Sequence, residues 1–120
     1  MVVSRDERIA EEARRGFAQD LEIVNASDAR EALRLLRTFV PACVVIDIHT
    51  GSSGGVGLSR DMRDVPHLRD VPILMLLERD QDRWLAGQAG ADAIRTKPLG
   101  TSDLVAEVTA LIGSAAGNAA

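Results

Sequence analysis

The chain has 120 residues, a length that suits one compact domain. Its formal net charge of −4 at pH 7 argues against nucleic acid as a partner, because phosphate backbones are bound by basic surfaces. Hydrophobic residues make up 46% and aromatic residues only 2% of the chain, so its core must be built from aliphatic side chains.

The sequence also bears on location and redox environment. It has no signal-peptide pattern and no apolar stretch near the ~18 residues that a membrane span requires. The single cysteine, Cys43, cannot form an internal disulfide and lies in an apolar run, where a free thiol is expected to pack as a small hydrophobe. We therefore expect a cytoplasmic protein with no membrane partner.

Five apolar, strand-like runs alternate with helical patterns. The runs cover residues 1–3, 21–24, 42–48, 71–77 and 93–96. The third and fourth are nearly continuous in aliphatic residues, which is typical of strands buried on both faces of a parallel sheet. The alternation predicts an α/β fold with a doubly wound, five-stranded parallel sheet and helices on both of its faces.

The spacing of apolar residues predicts the first two helices. The first covers about residues 6–19, and the second covers residues 28–39 with Ser27 or Asp28 as its N-cap. Val40 continues the apolar face of the second helix. We therefore expect Val40 to be buried.

The last helix is predicted to begin near Ser102 or Asp103 and to end at Gly113. The residues that follow are small and have little surface to bury. We therefore predict one domain over residues 1–113 and a disordered tail over residues 114–120.

In a sheet of this kind, functional residues lie at the carboxyl ends of the strands. Asp47 ends the third predicted strand, Glu78 follows the fourth and Lys97 follows the fifth. An aspartate at the end of an apolar strand is costly unless it is exposed, paired or used. Lys97 is the one lysine among 14 basic residues, which indicates a site that requires a compact positive charge.

Four segments in this order and spacing carry a resemblance to a known family. They are residues 42–47 (ACVVID), 71–75 (VPILM), 89–93 (AGADA) and 96–99 (TKPL). The chain resembles the receiver domain of bacterial response regulators, of the chemotaxis-regulator kind, along almost its whole length. The resemblance implies a flavodoxin-like (β/α)5 fold and a signalling module of a two-component phosphorelay, not an enzyme.

The resemblance also implies roles and partners. Asp47 would accept a phosphoryl group from a histidine kinase, and Lys97 would pair with the acyl phosphate. Partners would be a histidine kinase or another signalling protein, together with a second copy bound through the face of the fourth helix, fifth strand and fifth helix. Trp84 falls in the fourth helical pattern, and we expect it to pack in the core, with a partner-facing anchor as the alternative.

The chain departs from the family pattern where the metal would bind. The two adjacent acids that follow the first strand in the family are replaced by Ser4 and Arg5, and Asp6 matches a position that is not normally a ligand. Mg²⁺ requires a shell of hard oxygens. We therefore expect no resident cofactor and at most weak Mg²⁺ binding, with Asp47 and Asp6 as the weak candidate ligands.

Two further departures concern switching. The family's small hydroxylated residue on the fourth strand corresponds to Leu77, and the aromatic residue of the fifth strand corresponds to Ile94. Both positions of the usual conformational relay are therefore degenerate. The segment 49–57 has four glycines and is predicted to be a flexible lid, with anion binding by its backbone amides as the alternative.

One hypothesis joins these changes: Arg5 forms a charge-assisted pair with Asp47 and replaces the missing metal. The favoured interpretation is an atypical, single-domain pseudo-receiver that acts as a protein-interaction module with impaired Mg²⁺-dependent phosphorylation. The alternatives are a functional phosphoacceptor modified at Asp47, and a flavodoxin-like ligand-binding domain or small enzyme, since one fold serves many functions.

Overall fold

The computed structural model describes residues 1–17, 21–49 and 54–119, with side chains as far as residue 115. Strands and helices alternate along the described chain. They are β1 (Val2–Val3), α1 (Glu7–Gly16), β2 (Asn25–Ala26), α2 (Ala29–Leu35), β3 (Val44–Asp47), α3 (Gly54–Asp64), β4 (Ile73–Leu77), α4 (Arg83–Gln88), β5 (Ala93–Thr96) and α5 (Thr101–Ala119), with a 3-10 turn at Asp80–Asp82 before α4.

The five strands form one parallel sheet in the order β2-β1-β3-β4-β5. This is the flavodoxin-like order, in which the chain winds outward from β1 in both directions. The predicted doubly wound sheet is confirmed. The register pairs Asp47 with Leu76 and Leu77 with Thr96, so the residues that follow β3, β4 and β5 lie at one edge.

Successive side chains of the strands pack into two cores, because they point to opposite faces of the sheet. Ile46 and Met75 pack with α2, α3 and α4, whereas Val45 and Leu74 pack with α1 and α5. Cys43 is buried in the second core, as predicted, and burial raises the pKa of its thiol to about 11. A thiol with this pKa is protonated and unreactive at neutral pH.

Several predicted boundaries were wrong. The second strand comprises Asn25–Ala26, which follow the predicted run at 21–24, because it is these residues that pair with β1. Helix α2 begins after the predicted cap Asp28 but ends at Leu35. Val40 therefore lies outside the helix, and it is 55% exposed rather than buried.

Helix α5 continues past Gly113, where the sequence predicted its end, as far as Ala119. A glycine ends a helix when it adopts a left-handed conformation, but Gly113 keeps a helical one. The alanines at 115, 116 and 119 then favour continuation, because alanine has the highest helix propensity. The division into a domain of residues 1–113 and a tail of residues 114–120 stays a prediction.

Trp84 is 73% exposed, so the prediction that it packs in the core was wrong. Helix α4 has six residues and buries the small side chain of Ala86 against the sheet. A helix this short has one narrow buried face, and Trp84 lies outside that face. In the part of the chain that the structure describes, no helix is both long and apolar enough to cross a membrane.

Arg63 of α3 fixes the edge of the sheet opposite the predicted site. Its guanidinium donates hydrogen bonds to the backbone carbonyls of Gly90 (2.6 Å), Val71 (2.8 Å) and Arg69 (2.7 Å). It also forms a 2.7 Å salt bridge with Asp92, whose carboxylate accepts a hydrogen bond from the amide at the start of β4. One side chain thus joins α3, the start of β4 and the turn before β5.

Candidate functional site

Asp47 ends β3, and its side chain is only 6% exposed. Its Oδ2 accepts hydrogen bonds from Lys97 Nζ (2.9 Å) and Ser4 Oγ (3.0 Å), and its Oδ1 accepts one from the backbone amide of His49 (3.2 Å). A buried carboxylate needs such partners, because leaving it unpaired is costly. One fixed cation and two neutral donors therefore satisfy Asp47.

Ser4 is a member of the site that the sequence analysis treated only as a poor metal ligand. It follows β1 directly and is buried. Its hydroxyl donates to Asp47 and accepts a hydrogen bond from the amide of Asp6 (2.9 Å). The position of Ser4 directly after β1 could have indicated its contact with Asp47, because β1 and β3 are neighbours in this strand order.

Lys97 contacts two carboxylates. In addition to Asp47, its ammonium lies 2.5 Å from Oε1 of Glu78, the residue that follows β4. Burial alone would lower the pKa of Lys97, but hydrogen bonds to Glu78 and Asp47 outweigh it and raise the pKa above its ordinary value. Sequence reasoning placed Glu78 at this edge without predicting that it pairs with Lys97.

The predicted pair between Arg5 and Asp47 is not formed. Arg5 is exposed, and the contacts of Asp47 with described residues come from Ser4, His49 and Lys97. Ser4 takes the place beside Asp47 through its hydroxyl, whereas Arg5 lies at a bend after β1 and is exposed.

Asp6 is the N-cap of α1, and its carboxylate binds groups of the first turn of that helix. It accepts a hydrogen bond from the amide of Arg8 and forms a two-point salt bridge with the Arg8 guanidinium, each contact measuring 3.0 Å. Hydrogen bonding by Arg8 holds the pKa of Asp6 below its usual value. An ion that recruited Asp6 would have to replace these contacts.

The donor set does not fit a resident magnesium ion. Within residues 1–17, 21–49 and 54–119, no group of three or more His, Cys, Asp and Glu side chains is arranged to hold a metal. Ser4 directs its proton toward Asp47, and position 5 carries a guanidinium where the family has an acid. The two described carboxylates beside Lys97, those of Asp47 and Glu78, both contact its ammonium, so a divalent ion would have to displace Lys97 to bind them.

The two predicted switch positions lie in the same core. Leu77 is fully buried among the residues that pack with α2, α3 and α4, and Ile94 packs against that core from β5. An aliphatic side chain cannot donate a hydrogen bond to an oxygen bound at Asp47. The side-chain contacts of Leu77 and Ile94 are therefore apolar.

Part of the glycine-rich segment is helical. Residues 50–53 lie outside the described residues, whereas Gly54, Gly55 and Gly57 belong to α3. Gly54 has φ +64°, which favours glycine. A Cβ on Gly55 would lie 2.7 Å from Cγ2 of Ile46 and 2.9 Å from the carbonyl oxygen of Asp47, so this glycine lets α3 begin directly beside the site.

Comparison with known proteins decides the family. The model of the response regulator receiver domain matches residues 1–109. The chain belongs to the response regulator receiver family. It is 33% identical over 115 residues to the response regulator MprA of Mycolicibacterium vanbaalenii, covering 93% of this chain and 49% of the relative. It is also 33% identical over 115 residues to the transcriptional regulatory protein PrrA of Mycobacterium tuberculosis, covering 93% of this chain and 48% of that protein.

This receiver domain spans about half the length of the curated relatives it matches. Among solved structures, the signal receiver domain of a signal transduction histidine kinase from Syntrophus aciditrophicus superposes with a TM-score of 0.84 at 25% identity, covering 94% of this chain and 88% of the other. The chemotaxis response regulator CheY4 of Vibrio cholerae gives 0.85 at 19% identity, covering 92% and 94%. The second likeness shows the fold alone.

Membership confirms the predicted family and its place in two-component signalling. Receiver domains are signalling modules that interact with histidine kinases and other signalling proteins. The carboxylate and the lysine that the resemblance singled out, Asp47 and Lys97, are in contact at the carboxyl edge of the sheet.

Proposed function

We propose that this receiver domain is an atypical one, a protein-interaction module of a two-component phosphorelay whose Mg²⁺-dependent phosphorylation at Asp47 is impaired. One observation carries the proposal: the Asp47 carboxylate is held by Lys97 and Ser4, and positions 4 and 5 provide a hydroxyl and a guanidinium instead of two acids.

The physical reason for the impairment is electrostatic. In phosphoryl transfer the protein mainly positions the groups and neutralises the charge on the phosphoryl oxygens, and metal ions supply much of that neutralisation. Asp6 is bound to Arg8, and positions 4 and 5 carry no acid. Among the described residues, Lys97 is the cation in contact with Asp47. The aliphatic Leu77 and Ile94 further weaken any coupling between Asp47 and the helices.

Incubation with acetyl phosphate and Mg²⁺, followed by intact-mass measurement, tests this proposal. We expect the wild type to gain a phosphoryl group slowly. We expect the double variant Ser4→Asp/Arg5→Asp to gain it at least about tenfold faster, which corresponds to ~1.4 kcal/mol of the barrier, because the restored acids recruit the metal. The variant Asp47→Ala is the negative control.

A functional phosphoacceptor is the second candidate, and the 2.9 Å contact between Lys97 and Asp47 favours it. This contact places a positive charge where the transferred group would arrive. If the wild type acquires the adduct as fast as Ser4→Asp/Arg5→Asp and the adduct is absent from Asp47→Ala, the second candidate is correct and impairment is wrong.

We also propose that the face of α4, β5 and α5 binds a second copy of the chain. Trp84 and Leu85 are large apolar side chains exposed on α4, and exposed aromatic residues often anchor interfaces. Arg83 and Arg95 lie on this face beside acidic residues with which they form salt bridges. A two-fold interface can exchange such pairs between copies, because it brings the same patch from each.

We expect Trp84→Ala to abolish dimerisation and to change the free energy of unfolding by no more than about 0.5 kcal/mol, the usual effect of a surface substitution. Sedimentation velocity over a range of concentrations measures the first quantity and urea denaturation the second. The matched control is Val40→Ala, since Val40 is also exposed but lies away from α4. A wild type that stays monomeric, or a dimer that survives Trp84→Ala, would contradict the proposal.

A further inference from the structure

Glu78 is a half-exposed acid inside the site. It follows β4, its side chain is 48% exposed, and its Oε1 lies 2.5 Å from Lys97 Nζ. A lysine ammonium has three donors, and two of those of Lys97 are taken by Asp47 and Glu78. The site thus contains its own second anion.

The charged groups around Lys97 disfavour the binding of a further anion. Its hydrogen bond to Lys97 lowers the pKa of Glu78, so its carboxyl group is ionised at neutral pH. At their formal charges, Asp47, Glu78 and Lys97 together sum to −1. An incoming oxyanion therefore meets an excess of negative charge and a lysine that is already neutralised.

Hydrogen bonds join the backbone segment around Glu78 to β5. Asp80 accepts a 2.6 Å hydrogen bond from the hydroxyl of Thr96, and the amide of Lys97 donates to the carbonyl of Leu77 (2.8 Å). These contacts hold both ends of the segment near Glu78, whereas the side chain of Glu78 itself extends partly into water. Glu78 is therefore a tethered anion that can be displaced without moving the strands.

We propose that Glu78 is a built-in competitor, a tethered carboxylate that occupies Lys97 and keeps phosphate-like oxyanions away from Asp47. The inference deepens the proposed function and rests on it, since it concerns access to the carboxylate proposed there as the phosphoacceptor. Glu78 acts through Lys97 and is a positioning residue, and removing its charge opens an oxyanion site between Lys97 and Asp47.

Binding of inorganic phosphate without Mg²⁺ tests the inference, followed through the NMR shifts of the His49 and Lys97 amides. We expect Glu78→Gln to bind phosphate about threefold to fivefold more tightly than the wild type, the effect of losing one partly exposed ion pair. The matched control is Glu11→Gln, because Glu11 is 53% exposed and paired with Arg15. This control removes the same charge from a residue of α1 that is not a partner of Lys97, and we expect wild-type affinity.

Equal affinity of Glu78→Gln and wild type, no saturable binding by Glu78→Gln, or an equal gain in Glu11→Gln would each overturn the inference. Phosphate binding involves no metal and no covalent transfer. Its outcome is therefore independent of the mass measurement with acetyl phosphate, which alone decides whether phosphorylation is impaired.

Discussion

Replacing Lys97 with methionine is expected to lower the free energy of unfolding by about 2–4 kcal/mol. Breaking a buried ion pair by removing one partner costs ~3–5 kcal/mol, because the other charge stays buried without compensation. Asp47 is 6% exposed and would be that charge, but Lys97 is 20% exposed, so water can partly replace the ammonium. Urea denaturation at pH 7 measures the loss.

Two variants give this measurement its controls. Glu78→Gln removes the exposed partner of Lys97 and is expected to cost less than about 1 kcal/mol. Asp47→Asn in the Lys97→Met background removes the unpaired charge and is expected to recover most of the lost stability. A cost below about 1 kcal/mol for Lys97→Met alone would mean that the ion pair with Asp47 does not stabilise the fold.

Arg63→Ala is expected to destabilise the domain by about 2–4 kcal/mol, because one side chain satisfies several partners at once. Its loss leaves carbonyls of Gly90, Val71 and Arg69 without this donor and removes the salt bridge with Asp92. Unsatisfied buried groups cost ~1–3 kcal/mol each, and partial exposure of the cluster reduces the sum.

Arg60→Ala is the matched control, since Arg60 lies on the same helix and is exposed. It is expected to change the free energy of unfolding by less than about 0.5 kcal/mol. Arg63→Lys is expected to lower the free energy of unfolding by more than half as much as Arg63→Ala does. An ammonium cannot reproduce the planar guanidinium that spans these acceptors. Full stability in Arg63→Lys would show that only the charge matters.

The sheet architecture was predictable because the strand sequences show which residues are buried. The runs at 42–48 and 71–77 are apolar on both faces, and β3 and β4 are buried on both sides as this pattern predicts. The second strand was misplaced because hydrophobicity marks burial, whereas pairing with β1 decides which residues form the strand. The run at 21–24 packs toward α1 and α5 through Leu21 and Ile23, and the pairing falls on Asn25–Ala26.

The sequence predicted only those contacts of the site that follow from the positions of residues at the strand ends. Asp47 and Lys97 meet because β3, β4 and β5 are neighbours with their carboxyl ends together. Arg5 was predicted to pair with Asp47 because of its charge, but it is exposed and Ser4 contacts Asp47 instead. Contacts of Ser4 and Glu78 depend on rotamers and on a few ångströms of reach, which the sequence does not specify.

Trp84 illustrates a different limit. Apolar periodicity indicates that a helix has a buried face, but it cannot tell how much of a short helix the sheet covers. In α4 the covered residue is Ala86, which leaves Trp84 in solvent. Exposure of the single tryptophan favours the alternative of a partner-facing anchor over packing in the core.

At this edge of the sheet Lys97 is the cation paired with Asp47, Ser4 adds a neutral hydrogen bond, and positions 4 and 5 lack the acids that would recruit a divalent ion. An NMR titration of wild type and Ser4→Asp/Arg5→Asp with Mg²⁺, followed through the His49 amide, tests it most directly. We expect the double variant to saturate at a Mg²⁺ concentration at least about tenfold lower than the wild type. Saturation of both proteins at the same concentration would contradict it.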